Sequence, residues 1–238
     1  MEKTAQLYEG KAKKVYATND ENLVIVSYKD DATALDGLKK GTISGKGAIN
    51  NRMSNYLMRL LEKNGVPTHF VEELNDRETV VKKVQIVPLE VIIRNISAGS
   101  FAKRYGVEEG IVFEEPTIEF SYKNDDLHDP LINEYHALAL KLATREEIDA
   151  IKSMAFRINE VMKAYFLSLG VKLVDFKLEF GRTPDGTIVL ADEISPDTCR
   201  FWDAETNEKL DKDRFRRDMG GVEDAYNEMM RRVFGQED

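Results

Sequence analysis

Residues 174–180 constrain the fold of this chain more than any other stretch. Val174, Phe176, Leu178 and Phe180 alternate with Asp175, Lys177 and Glu179. A strict period of two is a β-strand with one apolar and one charged face. The charged side chains recur about 6.6 Å apart along it. The following stretch, residues 187–194, is apolar on both faces and ends in Asp192 and Glu193, so it predicts a strand of a buried sheet. A carboxylate–lysine–carboxylate row beside such a sheet faces a cleft or forms a structural salt-bridge strand. The two readings are evenly balanced on composition alone.

Register decides which acid joins the row. Gly181-Arg182-Thr183-Pro184-Asp185-Gly186 is the hairpin connection. An even loop places Asp192 on the face of Asp175, Lys177 and Glu179, and an odd loop places Glu193 there. Asp185-Gly186 as a two-residue loop sets Asp192 directly opposite Glu179. Two carboxylates so placed repel unless a cation lies between them. A small number of hard oxygen ligands, with room for water and phosphate, suits Mg²⁺.

Around this hairpin the chain reads as strands first and long helices later. Small strands flank Glu9-Gly10-Lys11-Ala12-Lys13-Lys14, a turn able to lay N–H groups and ammonium charges over a polyphosphate. The default for that turn is a solvated basic loop. Ile49, Met53, Tyr56, Leu57, Leu60 and Leu61 make one helical face, stopped by Asn64-Gly65. Strands are expected over 79–84 and 90–94, with a hinge at 85–88. Thr144 and Glu147 have capping-box spacing ahead of a helix from about Arg145 to Leu169, stopped by Gly170. A last helix carries Val222, Tyr226, Met229, Met230 and Val233. Arg94, the small residues after it and Ser100 form a strand-to-helix turn of the kind that holds a phosphate monoester. A Ser-capped helix beside a salt-bridged Arg is the slightly favoured plain reading.

Other features exclude more than they assign. Gly41 to Gly47 is not a P-loop, because three residues separate Gly41 from Gly45 and Gly47 follows Lys46; it reads as a mobile loop capping the first helix. His69, His128 and His136 lack metal spacing. Cys199 is the only cysteine of the 238 residues, which rules out an intrachain disulfide and fits a reducing, cytoplasmic location. Phe201 and Trp202 read as core, and 211–217 as a charged helix start. A net charge of −9 argues against nucleic-acid binding through phosphate neutralisation. No apolar run exceeds four residues, so no membrane span is expected.

The string from Asp175 to Gly181 resembles the SAICAR synthetase family of purine biosynthesis. So do Tyr8 to Lys13, Val81-Lys82-Lys83, Pro88 to Ser100, Asn124-Asp125 with His128-Asp129-Pro130, Asp192-Glu193 with Ser195-Pro196-Asp197 and Arg200, and Asp211 to Arg216. Thr198-Cys199 departs from the small residues common there. The resemblance implies an α+β, two-lobed, ATP-grasp-like fold, with a small antiparallel β lobe (1–85) and a larger α+β lobe (86–238). It implies ATP and Mg²⁺, with CAIR (a phosphoribosyl aminoimidazole carboxylate) and L-aspartate as substrates. Matching positions imply that Gly10, Lys11, Ala12, Lys13, Val15, Lys82 and Val84 bind ATP. Arg94, Ser100 and Arg200 hold the CAIR phosphate, Glu179 and Asp192 hold the metal, and Asp175 and Lys177 meet the reacting carboxylate. A homo-oligomer is expected. The competing reading is a kinase-like phosphotransferase, which lacks its H-R-D and D-F-G strings here.

Overall fold

The computed structural model describes residues 1–34 and 37–235. Its first half is a five-stranded antiparallel sheet in the order β1-β2-β3-β7-β6. The strands are β1 (Lys3–Glu9), β2 (Lys13–Thr18), β3 (Leu23–Tyr28), then, beyond a small hairpin of β4 (Asp31–Ala34) with β5 (Lys39–Thr42) and helix α1 (Lys46–Lys63), β6 (Phe70–Asn75) and β7 (Glu78–Lys82). The second half builds a seven-stranded sheet from β8 (Gln85–Ile86), β9 (Leu89–Ile96), β10 (Val112–Tyr122), β11 (Leu131–Ile132), β12 (Val171–Arg182), β13 (Ile188–Ala191) and β14 (Cys199–Asp203). Helices α2 (Gly99–Tyr105), α3 (Glu134–Ala139), α4 (Arg145–Ser168), α5 (Asp213–Arg216) and α6 (Val222–Phe234) connect and cover it.

β12 is the hub of the large sheet. Its first half pairs with β9 and β14, and its second half with β13 and β8. The segment expected as a hinge is therefore partly a strand, with Gln85 and Ile86 paired to Arg182 and Gly181. Leu173, Phe176, Leu178 and Phe180 of β12 join Val91 and Ile93 of β9 in the main core. Ile148, Ile151, Ala155, Ile158, Met162 and Phe166 of α4 cover them, as the spacing of that helix requires. Val174 departs from the simple alternation. A bulge against β14, between Leu173 and Asp175, gives the core position to Leu173. Val174 packs instead with Ile96, Ala98 and Trp202.

Helix ends fall where the sequence placed them. Asn64 caps α1, and Gly65 takes the left-handed conformation at φ 83°. Thr144 accepts from the Glu147 amide at 3.2 Å while Glu147 accepts from the Thr144 amide at 2.8 Å. α1 serves both halves of the molecule. Met53, Leu57 and Leu61 enter the main core, whereas Asn51 and Asn55 bond Thr79 of β7 at 2.5 and 2.7 Å. No helix among the described residues is long and apolar enough to cross a membrane.

The capping box predicts that Thr144→Ala lowers the unfolding free energy by about 1 kcal/mol. Urea denaturation with an unchanged slope is the measurement; no change would mean that packing alone holds the start of α4.

Candidate active site

The polar face of β12 opens onto a cleft between the two sheets. Antiparallel pairing sets Asp175 opposite Arg94 and Lys177 opposite Ile92 of β9. β10 continues the same face, with Thr117 opposite Arg94 and Glu119 opposite Ile92. The three strands therefore form a charged floor whose underside is the apolar core.

Asp175 is buried at one end of this floor and accepts from two guanidinium groups: Arg94 Nη1 at 2.7 Å and Arg200 Nη1 at 3.0 Å. Arg94 also donates to Glu119 at 2.8 Å and to Ser100 Oγ at 3.1 Å. Arg200 donates through Nε to the buried Asp213 at 2.9 Å. Its Nη2 lies so close over Gly99 (φ 53°) that a Cβ there would sit 2.2 Å away. The segment read as a charged helix start does open a helix, α5, but its two acids are buried: Asp211 and Asp213 are 0% and 1% exposed. Asp211 accepts from the Phe201 amide and the Asp213 amide.

At the other end, Glu179 accepts from Lys123 at 2.9 Å and lies 3.8 Å from Lys177. Burial pushes its carboxyl up, and the nearby Asp192 charge adds to this against the pull of the two lysines. Lys177 pairs with Glu90 at 2.5 Å. Burial disfavours its charge, but Glu90, Glu179 and Asp192 outweigh this and raise its pKa, so it stays an ammonium.

The hairpin register differs from the even-loop expectation. Arg182 pairs with Ile188, so five residues, 183–187, form the connection, and Glu179 faces Ala191. In that odd register Asp192 points away from the row. It reaches the cleft because the chain leaves the ladder after Ala191 and turns left-handed at Asp192, φ 59°. Such a conformation is uncommon outside glycine, though Asp tolerates it better than most residues. The buried His69 stands beside this turn, and burial pushes its imidazole down to about 4.

Lys13, at the start of β2 after the Gly10-Lys11-Ala12 turn, closes the cleft from the small sheet. Its Nζ lies 2.5 Å from Asp192 and 3.1 Å from Glu193. Burial opposes its charge, yet these two carboxylates hold its pKa well above the ordinary lysine value. Burial pushes the Asp192 carboxyl up, but the ammonium groups of Lys13, Lys177 and Lys123 outweigh this and hold it down at about 2. Lys11 is half-exposed and pairs with Asp125 at 3.2 Å.

Three cavities meet at Lys13 and Asp192. One, of about 560 Å³, is largely apolar and includes Val15, Lys82, Val84 and Glu179 in its wall. Val84 rests directly on Gly181, where a Cβ would come within 2.4 Å of it. The second, of about 390 Å³, includes Arg94, Ser100, Asp175, Lys177 and Arg200. The third, of about 720 Å³, runs under the Gly10–Ala12 turn past Lys123 and Lys177. Every site residue read from the sequence therefore lies on one connected cleft. Lys123 and Glu193 also line it, and Lys46, Glu119 and Asp213 stand behind its wall, bonded to Asp197, Arg94 and Arg200. Lys46 stands in the glycine-rich stretch read as a loop, yet it is 1% exposed and paired with Asp197 at 2.9 Å. Its charge in a loop-like string carried no periodic signal of burial.

A largely apolar slot, joined past a basic turn to a chamber lined by guanidinium groups, suits ATP-driven activation of an anionic substrate. The class is that of two-lobed, ATP-dependent ligases. The SAICAR synthetase family model matches residues 6–233. Phosphoribosylaminoimidazole-succinocarboxamide synthase of Lachnoclostridium phytofermentans is 67% identical over 98% of this chain and 99% of its own length. The homologue from Thermoanaerobacter sp. is 63% identical over 99% and 100%. The crystal structure of the Ehrlichia chaffeensis enzyme has a TM-score of 0.94 at 46% identity, covering 96% of this chain and 98% of its own. A SAICAR synthetase in complex with ADP gives 0.93 at 49% identity, over 96% and 97%. The chain belongs to the SAICAR synthetase family, with its ATP-grasp-like α+β fold, and is a carbon–nitrogen ligase of purine biosynthesis.

The buried double ion pair at Asp175 predicts that Arg94→Ala costs about 3–5 kcal/mol of folding stability, because Asp175 and Glu119 lose a shared buried partner. Ser100→Ala, at the exposed end of the same guanidinium, is expected to cost less than about 1 kcal/mol. Denaturation of the ligand-free proteins tests both. Equal losses would remove Arg94 from the frame.

Proposed function

We propose that the cleft performs the ligation with the residue roles its three cavities suggest. The observation that carries this reading is their junction at Lys13 and Asp192. Adenine occupies the apolar slot beside Val15, Lys82 and Val84. The triphosphate lies under Gly10, Lys11, Ala12 and Lys13; nucleotide binding itself is also supported by the ADP held by a similar protein. The CAIR phosphate lies toward Ser100 and Arg200. Arg200 Nη2 has no protein acceptor among the described residues, whereas Arg94 is already engaged by Glu119, Asp175 and Ser100. Arg94 then serves the phosphate chiefly by holding Ser100 and Asp175 in place.

Glu179 and Asp192 fit a hard divalent cation. They supply two crowded carboxylates, one with its pKa raised, on the wall of the nucleotide slot. Among the described residues no group of three or more His, Cys, Asp or Glu is placed to enclose a metal. Two protein oxygens with phosphate and water completing the shell suit Mg²⁺. When bound there, Mg²⁺ would offset charge on the phosphates.

A carboxylate is a poor acyl donor, so the reading has ATP activate the CAIR carboxylate as an acyl phosphate that the L-aspartate amine then attacks. Lys177, kept charged by its acidic neighbours, stabilises negative charge at the reacting carboxylate rather than taking a proton. Asp175 orients that end of the floor through its two guanidinium partners. The lobes are assigned to 1–85 and 86–238, supported by the membership of the two sheets. α1 crosses that division in its packing, as do Ala32 and Ile43 against Tyr226 and the Thr68–Leu190 bridge. A cytoplasmic location fits the single buried cysteine. A homo-oligomer fits the exposed side chains of Val107, Ile111 and Val112.

Phosphate release from ATP is expected only when CAIR and L-aspartate are both present, or slowly with CAIR alone. Oxygen-18 from the CAIR carboxylate is expected in the released phosphate; unlabelled phosphate would refute the acyl-phosphate route. Glu179→Gln and Asp192→Asn are each expected to raise the barrier by about 2–4 kcal/mol and to increase the Mg²⁺ concentration giving half-maximal rate. An unchanged Mg²⁺ requirement in both variants would place the metal elsewhere.

A further inference from the structure

Glu193 faces the site in the odd register and is 5% exposed, yet none of the roles above uses it. Its two oxygens are both engaged. Oε1 lies 3.1 Å from Lys13 Nζ, and Oε2 accepts from Ser195 Oγ at 2.8 Å. Ser195 Oγ in turn accepts from the Asp197 amide at 3.1 Å. Asp197 is fixed from three elements: by Lys46 of α1 at 2.9 Å, Lys212 at 3.3 Å and the Tyr226 hydroxyl of α6 at 2.5 Å. Glu193 is therefore seated in a rigid buried network, whereas Asp192 stands at the junction of the cavities.

Lys13 shares these two unlike partners. A buried ammonium needs an anion beside it to keep both its charge and its place. A phosphate arriving at the junction competes with Asp192 for the lysine, and a cation competes with the lysine for Asp192. Glu193, one residue further into the wall, remains.

We propose that Glu193 is the positioning residue for Lys13: it anchors the ammonium so that the lysine can exchange Asp192 for a nucleotide phosphate without losing its position. The inference rests on the reading of Lys13 as a phosphate-holding residue, and its test separates the two. Calorimetric titration of ADP and of adenosine, each with Mg²⁺ and with EDTA, is carried out on the full chain and on the variants Glu193→Gln, Ser195→Ala, Lys13→Met and Glu193→Gln/Lys13→Met. Glu193→Gln is expected to weaken ADP binding about tenfold, the scale of losing a group that orients a ligand-holding residue. Adenosine binding should change by less than about twofold, because adenosine has no phosphate for Lys13 to meet. The ADP loss should persist in EDTA, since it acts through the lysine. Ser195→Ala, which keeps the carboxylate but loosens its seat, should shift ADP affinity in the same direction and by less. In the Lys13→Met background, adding Glu193→Gln should change ADP affinity by less than about twofold, the signature of one coupled pair. Unchanged ADP affinity in Glu193→Gln, equal weakening of ADP and adenosine, or a full tenfold loss persisting without Lys13 would each overturn the proposal. Normal ADP affinity in Lys13→Met would overturn the phosphate reading, and this inference with it.

Discussion

The cleft depends on the buried carboxylate of Asp175 and its two guanidinium partners. Arg94 comes from the middle of the large sheet and Arg200 from β14, and both converge on one acid of β12. Removing two positive and one negative charge from water is costly, and such an ion set survives only when its hydrogen bonds are nearly complete. Glu119, Ser100 and Asp213 complete them. The network ties together four strands, β9, β10, β12 and β14, with the starts of α2 and α5, and it leaves one guanidinium edge over Gly99 facing the chamber. The charged floor is therefore an extension of the fold, and in the proposed reading stability and substrate binding draw on the same side chains.

Much of this was legible in the sequence because periodicity reports burial directly. The stripe on α4, its capping box and its glycine stop all follow from spacing. The charged row of β12 follows in the same way, as do the turn at Gly10 and the helix end at Gly65. A single extra residue obscured two details. The bulge before Asp175 exchanges Val174 for Leu173 in the core, and nothing in the side-chain pattern distinguishes the two. The five-residue connection at 183–187 shifts the hairpin by one, so the even-loop reading put Asp192 opposite Glu179, where Ala191 stands.

Long-range partners were less accessible. Lys46, Asp197 and Tyr226 lie far apart in the chain, and each looks ordinary where it stands. Only the tertiary fold makes them one buried cluster. Asp213 likewise reads as a surface charge until Arg200 is beside it. The register argument had already singled out Asp192, and the family resemblance added the substrate phosphate as the expected role of Arg200. Neither supplied the reason that Asp192, out of register, still reaches the cleft.

That left-handed turn has a consequence for which residues position 192 can accept. In a continuous strand, neighbouring side chains face opposite ways, so two adjacent carboxylates cannot meet one lysine. The break after Ala191 allows it, and in doing so makes two independent demands on a single residue. Asparagine or glycine would accept the backbone but bring no charge, while glutamate would bring charge but resist the backbone. Aspartate alone among the twenty satisfies both, so the alphabet of tolerated residues at this position contracts to one letter through geometry as much as through chemistry.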